Sequence, residues 1–259
     1  MTIAISISST IGGSGKTTIA CMFAHLLSAN YKVLALDLCG QCDLSEVLLH
    51  DNTVRGTICD VLESGDVASY IVPINENLHI IPGDQWICSS PFKFYIQGYK
   101  MPEVVIAMKE LLNQAKTAYY DFVVIDTPST SSKEVFSLSL SISDFAVMTY
   151  SPNKLQLIKS WLNKIKYVQD EFNPELRVGG ILRTRFNDIE ASHIFYNQEA
   201  CRLYPDYCWN SVFPNSPLFA NIDSHSIQKS QVATAFKPVL DEMIFRLLKT
   251  RNGIELWQK

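Results

Sequence analysis

Residues 10–18 constrain the fold more than any other stretch of this chain. The segment reads Thr-Ile-Gly-Gly-Ser-Gly-Lys-Thr-Thr; an apolar run at residues 3–7 precedes it, and a helical run at residues 19–27 follows it. The order is therefore strand, glycine-rich loop and helix. Glycines let successive backbone N–H groups point at an anion, and the helix dipole adds to the field. This order predicts a phosphate-binding loop.

Two side chains of the predicted loop have a defined chemical use. Lys16 can reach the outer phosphates of a nucleotide, and the Thr17 hydroxyl can bind Mg²⁺. A glycine-rich turn without a ligand is the alternative, but a Lys-Thr pair at a strand-to-helix junction has little packing value. We therefore predict that these residues bind a nucleotide: Gly12, Gly13, Ser14, Gly15, Lys16, Thr17 and Thr18.

A carboxylate is expected beside this loop. Four apolar residues at 122–125 predict a buried strand, and Asp126 follows them directly. The carboxyl ends of parallel strands meet at one edge of a sheet, so Asp126 should lie close to the loop. We predict that Asp126 and Thr17 hold Mg²⁺, with Asp126 acting through water. An aspartate that caps a turn is the simpler alternative for this position.

Strands and helices alternate along the rest of the chain, which indicates an α/β fold with a mostly parallel sheet and helices on both faces. At 259 residues and 47% hydrophobic, the chain is long enough for one domain with a large core, spanning residues 1–259. Further strands are predicted at residues 32–38, 77–83, 143–152, 178–182 and 209–215. The later helices are predicted at residues 103–117, about 153–170 and about 236–249.

Cysteine usage and hydropathy indicate a cytoplasmic protein. The seven cysteines are an odd number and lie among hydrophobic residues, which suits buried thiols in a reducing compartment. Cys39 and Cys42 also form a C-x-x-C pair, for which a redox role or a zinc site is a less favoured alternative. No apolar stretch reaches the roughly 18 residues that a membrane span needs.

The phosphate loop resembles that of the ParA/MinD/Soj family, K-G-G-x-G-K-T-T, with Ile11 in place of the family's signature lysine. The segment at 37–45 is similar to the family's D-x-D-P-Q-G-N-L-S, but Cys39 replaces its second aspartate. Residues 120–128 match Y-D-x-x-x-x-D-T-P almost residue for residue. The segments at 183–187 and 209–215 resemble L-T-R-Y-N and T-x-I-P-R-N. The resemblance thus spans essentially the whole chain.

This resemblance implies a homodimeric ATPase that uses ATP and Mg²⁺, with Lys16 and Asp37 as catalytic residues. In the family, the signature lysine reaches the partner subunit's phosphates and the second aspartate positions the attacking water. Because both are replaced here, we expect ATP binding with hydrolysis that is slow, absent or rebuilt from other residues. The candidates for a replacement cation are Arg183, Arg185 and Lys133. The residues expected to border the adenine are Thr184, Arg185, Pro214 and Asn215.

Two functions of different class stay open. The first is a nucleotide-gated dimer in plasmid or chromosome partitioning, with non-specific DNA binding, a ParB-like partner and association with the nucleoid. By count, residues 151–259 carry 14 basic and 11 acidic side chains, against 8 and 15 in residues 1–150, so a basic face must come from the second half. The second function is a non-hydrolysing scaffold that binds ATP and an adaptor protein.

Membrane attachment is a third and weaker alternative. The tail at residues 249–259 carries three membrane-seeking side chains and no basic cluster. Such a short tail is a poor anchor, so we expect no stable membrane attachment.

Overall fold

The computed structural model describes residues 2–49, 54–88, 100–129, 133–219, 222, 227 and 230–251. Eight strands form one sheet in the order β3-β4-β2-β5-β1-β6-β7-β8, and all neighbours are parallel except β3 and β4. The strands are β1 Ile3–Ser8, β2 Val33–Asp37, β3 Val72–Pro73, β4 Leu78–Ile81, β5 Phe122–Asp126, β6 Phe145–Tyr150, β7 Arg177–Phe186 and β8 Cys208–Pro214. The predicted α/β fold is confirmed.

Helices cover both faces of this sheet. The helices are α1 Lys16–Leu27, α2 Asp43–Leu49, α3 Ile58–Ser64, α4 Met101–Ala118, α5 Lys133–Ser141, α6 Gln156–Glu171, α7 Ala191–Leu203 and α8 Ser230–Arg251. One hydrophobic cluster packs α1, α2 and α8 against one face of the sheet. Two further clusters pack the five helices from α3 through α7 against the other face. Alternate strand residues enter the two layers: Phe145 and Val147 face α1 and α8, whereas Ala146 and Met148 face α5 and α6.

Several elements differ from the sequence prediction. The first helix begins at Lys16, not at residue 19, because Gly15 adopts a left-handed φ of 84° that turns the loop directly into the helix. The last helix begins at Ser230, not near 236, and its buried stripe already includes Val232. The short antiparallel strand β3 was not predicted.

Strand β8 is attached to β7 through an indole contact. Trp209 is buried, and its Nε1 donates a hydrogen bond to the Gly179 carbonyl at 3.0 Å. Gly180 has a φ of 124°, and a Cβ at this position would overlap the indole nitrogen. Only glycine leaves room for the ring in this backbone conformation. This contact fixes the start of β8, the edge strand that leads into the loop lining the cavity described below.

Within the described residues, no helix is long and apolar enough to cross a membrane. Of the tail considered as an anchor, residues 252–259 lie outside the described part of the chain.

Candidate functional site

Strands β1, β2 and β5 end side by side at one edge of the sheet. Ile7 pairs with Asp126 across β1 and β5, and Asp37 pairs with the same Asp126 across β2 and β5. The glycine-rich loop leaves β1 at this edge. The predicted meeting of the loop and the strand-end carboxylates is therefore present in the structure, as the parallel sheet requires.

The loop carries the backbone that an anion site needs. Gly13 and Gly15 have φ values of 69° and 84°, in the left-handed region that glycine adopts without penalty. Gly15 is the N-cap of α1, and its carbonyl accepts a hydrogen bond from the Ile19 N–H at 3.0 Å. The positive end of α1 therefore points into the loop at Lys16.

Lys16 is buried at 8% exposure, although it carries the loop's only side-chain cation. Its Nζ donates to the Ile11 carbonyl at 3.3 Å. Burial lowers the pKa of this ammonium, and the Asp126 charge opposes that shift. A buried ammonium that donates to a neutral carbonyl retains hydrogen-bonding capacity for an anion, since it has three donors.

The Thr17 hydroxyl and Asp126 form the candidate metal pair. Thr17 Oγ1 donates to Asp126 Oδ2 at 2.7 Å, and Asp126 is fully buried. Its other oxygen, Oδ1, has no hydrogen-bond partner in the described part of the chain. Burial raises the pKa of this carboxyl to about 8, and the neighbouring Asp37 charge adds to the shift.

This donor set fits Mg²⁺. An unsatisfied buried carboxylate oxygen is costly by itself and is stabilised by a cation. Mg²⁺ is typically held by one or two carboxylates together with phosphate oxygens and water. The described residues contain no cluster of three or more His, Cys, Asp or Glu side chains able to hold a metal, so a nucleotide and water would complete the coordination shell.

Asp37 is committed to local hydrogen bonds. Its Oδ1 accepts from the Cys39 N–H at 3.0 Å, and its Oδ2 accepts from Ser45 N at 3.0 Å and Ser45 Oγ at 2.7 Å. Ser45 Oγ in turn accepts from the Gly83 N–H at 2.7 Å. In this structure Asp37 holds together the loop after β2, the start of α2 and the loop after β4. Its catalytic role stays a prediction.

The Cys39 and Cys42 thiols are not in reactive form. Burial raises the pKa of each to about 12, with the Asp37 charge adding to both shifts, and both cysteines are free. A protonated thiol is a poor redox nucleophile. The sequence left Cys88 alone, but its Sγ lies 3.0 Å from the position that a Cβ on Gly40 would take. Cys39 and Cys42 thus place neutral thiols in the loop after β2, and Cys88 packs against the same loop.

Ser14 of the predicted phosphate loop is hydrogen-bonded to residues of the two neighbouring strands β6 and β7. Ser14 Oγ lies 2.9 Å from Thr149 Oγ1 of β6, and Thr184 Oγ1 donates to the Ser14 carbonyl at 2.7 Å. All three of these residues are buried. The Thr184 hydroxyl therefore supports the loop, and its predicted place beside an adenine stays a prediction.

The other three residues predicted to border the base line one cavity. The cavity has a volume of about 440 Å³. It joins the phosphate loop to the loops after β7 and β8, and the Asn215 N–H donates to the Phe186 carbonyl at 2.9 Å. Its lining residues are Gly15, Thr18, Arg185, Phe213, Pro214, Asn215, Ser216, Pro217 and Phe219.

The sequence analysis missed the aromatic floor of this cavity. The Phe213 and Phe219 rings lie 4.4 Å apart, and Phe213 also packs edge-on against Phe236 of α8. Trp209 and Phe213 lie on the same face of β8, so the apolar alternation along this strand could have indicated that Phe213 faces the core. Phe219 had no comparable signal, because a short helical turn after the strand brings it back.

The three candidates for a replacement cation differ in position. Arg183 is buried, where its Nε donates to Asn197 Oδ1 at 2.8 Å and its Nη1 donates to the Trp209 carbonyl. Its guanidinium is thus used in packing β7 against α7 and β8. Lys133 is the exposed first residue of α5. Arg185 is exposed at the end of β7, and its Nη1 lies 3.7 Å from the Cβ position of Gly13.

The chain is similar in sequence to proteins of a known family. A family model described as an AAA domain matches residues 2–178. The chain is 24% identical over 222 residues to the chromosome-partitioning ATPase Soj of Treponema pallidum, covering 83% of this chain and 84% of that protein.

Two solved structures share the fold. Apo McdA of Cyanothece has a TM-score of 0.81 at 16% identity and covers 95% of this chain and 100% of its own. Cobyrinic acid a,c-diamide synthase of Mycobacterium smegmatis, with a bound ATP analogue and magnesium, has a TM-score of 0.76 at 22% identity. The match covers 98% of this chain and 97% of the synthase chain.

Proposed function

The chain belongs to the AAA domain family and is a ParA/MinD-like P-loop protein, and on that premise we propose that it binds ATP and Mg²⁺ as a partitioning or positioning protein. One observation carries the proposal: a single cavity of about 440 Å³ is walled on one side by the phosphate loop and on the other by Phe213, Pro214 and Asn215. Such a volume falls in the range of small-molecule sites. A nucleotide fits this arrangement, with its phosphates on the loop and its base against the apolar wall of the cavity.

Each part of the site has a task in this proposal. The loop N–H groups and Lys16 bind the phosphates, and Thr17 with Asp126 holds the cation. Mg²⁺, when bound, would neutralise phosphate charge during hydrolysis. Support for the choice of ATP comes from the ATP analogue in the mycobacterial synthase and from the word ATPase in the name of the Treponema relative.

We further propose that nucleotide binding gates a homodimer that binds DNA without sequence preference and meets a ParB-like partner. The Treponema relative is named for chromosome partitioning. Three exposed lysines lie on or just before α6, in the basic half of the chain: Lys154, Lys159 and Lys166. Lys166 also pairs with Asp170 at 2.5 Å. Binding of this kind should weaken steeply between 50 and 200 mM salt, roughly in proportion to the number of phosphates contacted.

A non-hydrolysing scaffold with an adaptor-like partner is the second candidate, and the Cys39 thiol favours it. With a pKa of about 12, this thiol is neutral at physiological pH and is a weak hydrogen-bond acceptor. It is therefore a poor group to orient an attacking water. Ile11 likewise brings no charge to the loop.

The first experiment measures ATP affinity and steady-state hydrolysis on one preparation, with and without DNA. Lys16→Ala should weaken ATP binding by about 100-fold, because it removes charge-assisted hydrogen bonds to phosphate. Lys237→Ala is the matched control, since Lys237 is an exposed lysine that pairs with Asp241 on α8. It should leave ATP affinity unchanged.

The outcomes separate the candidates. Turnover that disappears in Lys16→Ala supports a partitioning ATPase. Tight ATP binding without turnover supports the scaffold. A wild-type protein that binds no nucleotide would contradict the proposed function itself.

A further inference from the structure

We propose that Arg185 binds the phosphate chain of the nucleotide from within the same subunit, as a second cation opposite Lys16. This inference rests on the nucleotide site proposed above. It concerns phosphate recognition within one subunit, whereas the sequence suggested for this residue a contact with the base or a replacement for the lysine that reaches the partner subunit's phosphates.

The backbone at Arg185 is the first reason. Its φ of 52° places it in the left-handed region, one of two such non-glycine residues in the described chain. This conformation costs an ordinary residue roughly 1–2 kcal/mol. The penalty persists only where the surroundings enforce it, and such positions cluster at ligand sites.

The left-handed backbone also redirects the side chain. Alternate residues of a strand point to opposite faces, so Arg185 in regular β7 would follow Arg183 towards α7. It instead reaches the phosphate loop, where Nη1 lies 3.7 Å from the Cβ position of Gly13. The neighbouring Thr184 contacts the same loop through Ser14. The strained residue thus carries its cation to the loop.

The charge of Arg185 has no protein partner among the residues that the structure describes. Throughout the described residues, no hydrogen bond or ion pair involves the Arg185 guanidinium, and its side chain is exposed. In contrast, Arg183 and Arg246 donate to carbonyl or carboxylate groups. An unpaired guanidinium beside an anion-binding loop offers a planar fork that matches phosphate oxygens bidentately.

The position of the fork favours the phosphates over the base. Arg185 borders the cavity, but Gly13 does not, and the aromatic floor lies at Phe213 and Phe219. The stem of Arg185 therefore passes the cavity, and the guanidinium continues to the part of the loop three residues before Lys16. A guanidinium stacked on the base would lie over the aromatic floor instead.

Arg185→Asn tests this placement. Asparagine tolerates the left-handed backbone, so the variant removes the cation while keeping the local conformation. Affinities for ATP, inorganic tripolyphosphate and adenosine are measured by titration calorimetry. ATP and tripolyphosphate should each bind about 10- to 100-fold more weakly, as expected for a lost charge-assisted contact, whereas adenosine affinity should change by less than about twofold.

Two further variants make the test specific. Arg177→Asn removes an arginine at the opposite end of β7 and should leave all three affinities unchanged. Arg185→Lys keeps the charge but not the fork, so it should recover part of the ATP affinity. Thermal unfolding of Arg185→Asn should occur at the wild-type temperature or higher, because the backbone strain is relieved.

Three results would overturn the inference. The first is an equal loss of affinity for adenosine and ATP, which indicates stacking on the base. The second is unchanged affinity for all three ligands. The third is a loss of affinity that vanishes at dilutions where only monomer is present, which indicates that Arg185 acts on a second subunit. If the wild-type protein binds ATP normally in the same assay, the proposed function stands while this inference fails.

Discussion

The phosphate end and the base end of the candidate site are built in different ways. At the phosphate end, Asp37 and Asp126 are buried at the carboxyl ends of central strands and held by short hydrogen bonds, and Lys16 is buried at the start of α1. At the base end, Pro214 and Asn215 are exposed and lie beside the cavity at the last strand of the sheet. The charged groups are therefore positioned by burial in the centre of the sheet, whereas the shape of the base end depends on how β7 and β8 pack.

Gly180→Ala tests that dependence with the largest expected effect. The added Cβ would overlap Trp209, and alanine is also strained at a φ of 124°. We expect a loss of about 3 kcal/mol in the free energy of unfolding, or roughly 6–12 °C in Tm. Calorimetry gives the Tm, and titrations give affinities for adenosine and tripolyphosphate.

The matched control is Gly65→Ala, since Gly65 has a φ of 74° but nothing near its Cβ position. It should cost only the backbone strain, about 1 kcal/mol. If Gly180→Ala weakens adenosine binding while tripolyphosphate binding survives, the two ends are structurally separable. Equal losses for both ligands would show that the comparison is wrong.

Asp126→Asn tests the phosphate end and should have the next largest effect. The amide can still accept from Thr17 but carries no charge for a cation. We expect the Mg²⁺-dependent part of ATP affinity to fall by at least about tenfold, while the metal-free protein becomes more stable. ATP titrations with Mg²⁺ and with EDTA, together with thermal unfolding, check both expectations. A variant that keeps the Mg²⁺ effect would remove Asp126 from the metal site.

The same variant should remove a pH dependence. In the folded, metal-free protein the pKa of Asp126 is raised from 3.8 to about 8, so between these values the folded state holds a proton that the unfolded state has released. Stability of the metal-free protein therefore falls as pH rises from about 4 to about 8, and burial of Asp37 contributes in the same direction. Unfolding midpoints across this range should have a shallower slope in Asp126→Asn.

Thr184→Val should have the smallest effect, because it removes one hydrogen bond that joins the two ends. Thr184 Oγ1 donates to the Ser14 carbonyl at 2.7 Å, and valine has nearly the same shape. We expect a loss of about 1 kcal/mol in stability and a fall in ATP affinity of about two- to tenfold. Thr57→Val at the N-cap of α3 is the control, since it also removes threonine hydroxyl hydrogen bonds, and it should leave ATP affinity unchanged. ATP affinity equal to wild type would mean that the loop holds its shape without β7.

The sequence predicted the phosphate end more fully than the base end, for a physical reason. Residues 10–18 and 122–126 are contiguous motifs, and the rule for parallel strands places their ends together. The position of the Arg185 side chain depends on a left-handed backbone, a conformation for which an arginine carries no local sequence signal.

The network around Asp37 shows a second limit of the sequence. Asp37, Ser45 and Gly83 meet although they are distant in the chain, and Cys88 joins the same loop cluster. These contacts depend on the order of strands in the sheet. The sequence indicated the strands themselves but did not settle which loops would touch.

Strand β1 also has a consequence for the time course of folding. It lies between β5 and β6, and its residue Ile3 pairs with Phe122. Synthesis proceeds at about 5–20 residues per second, so the first strand waits roughly 6–24 s for this partner. During translation, the apolar first strand therefore needs shelter by α1 or by a chaperone until the middle of the sheet has been made.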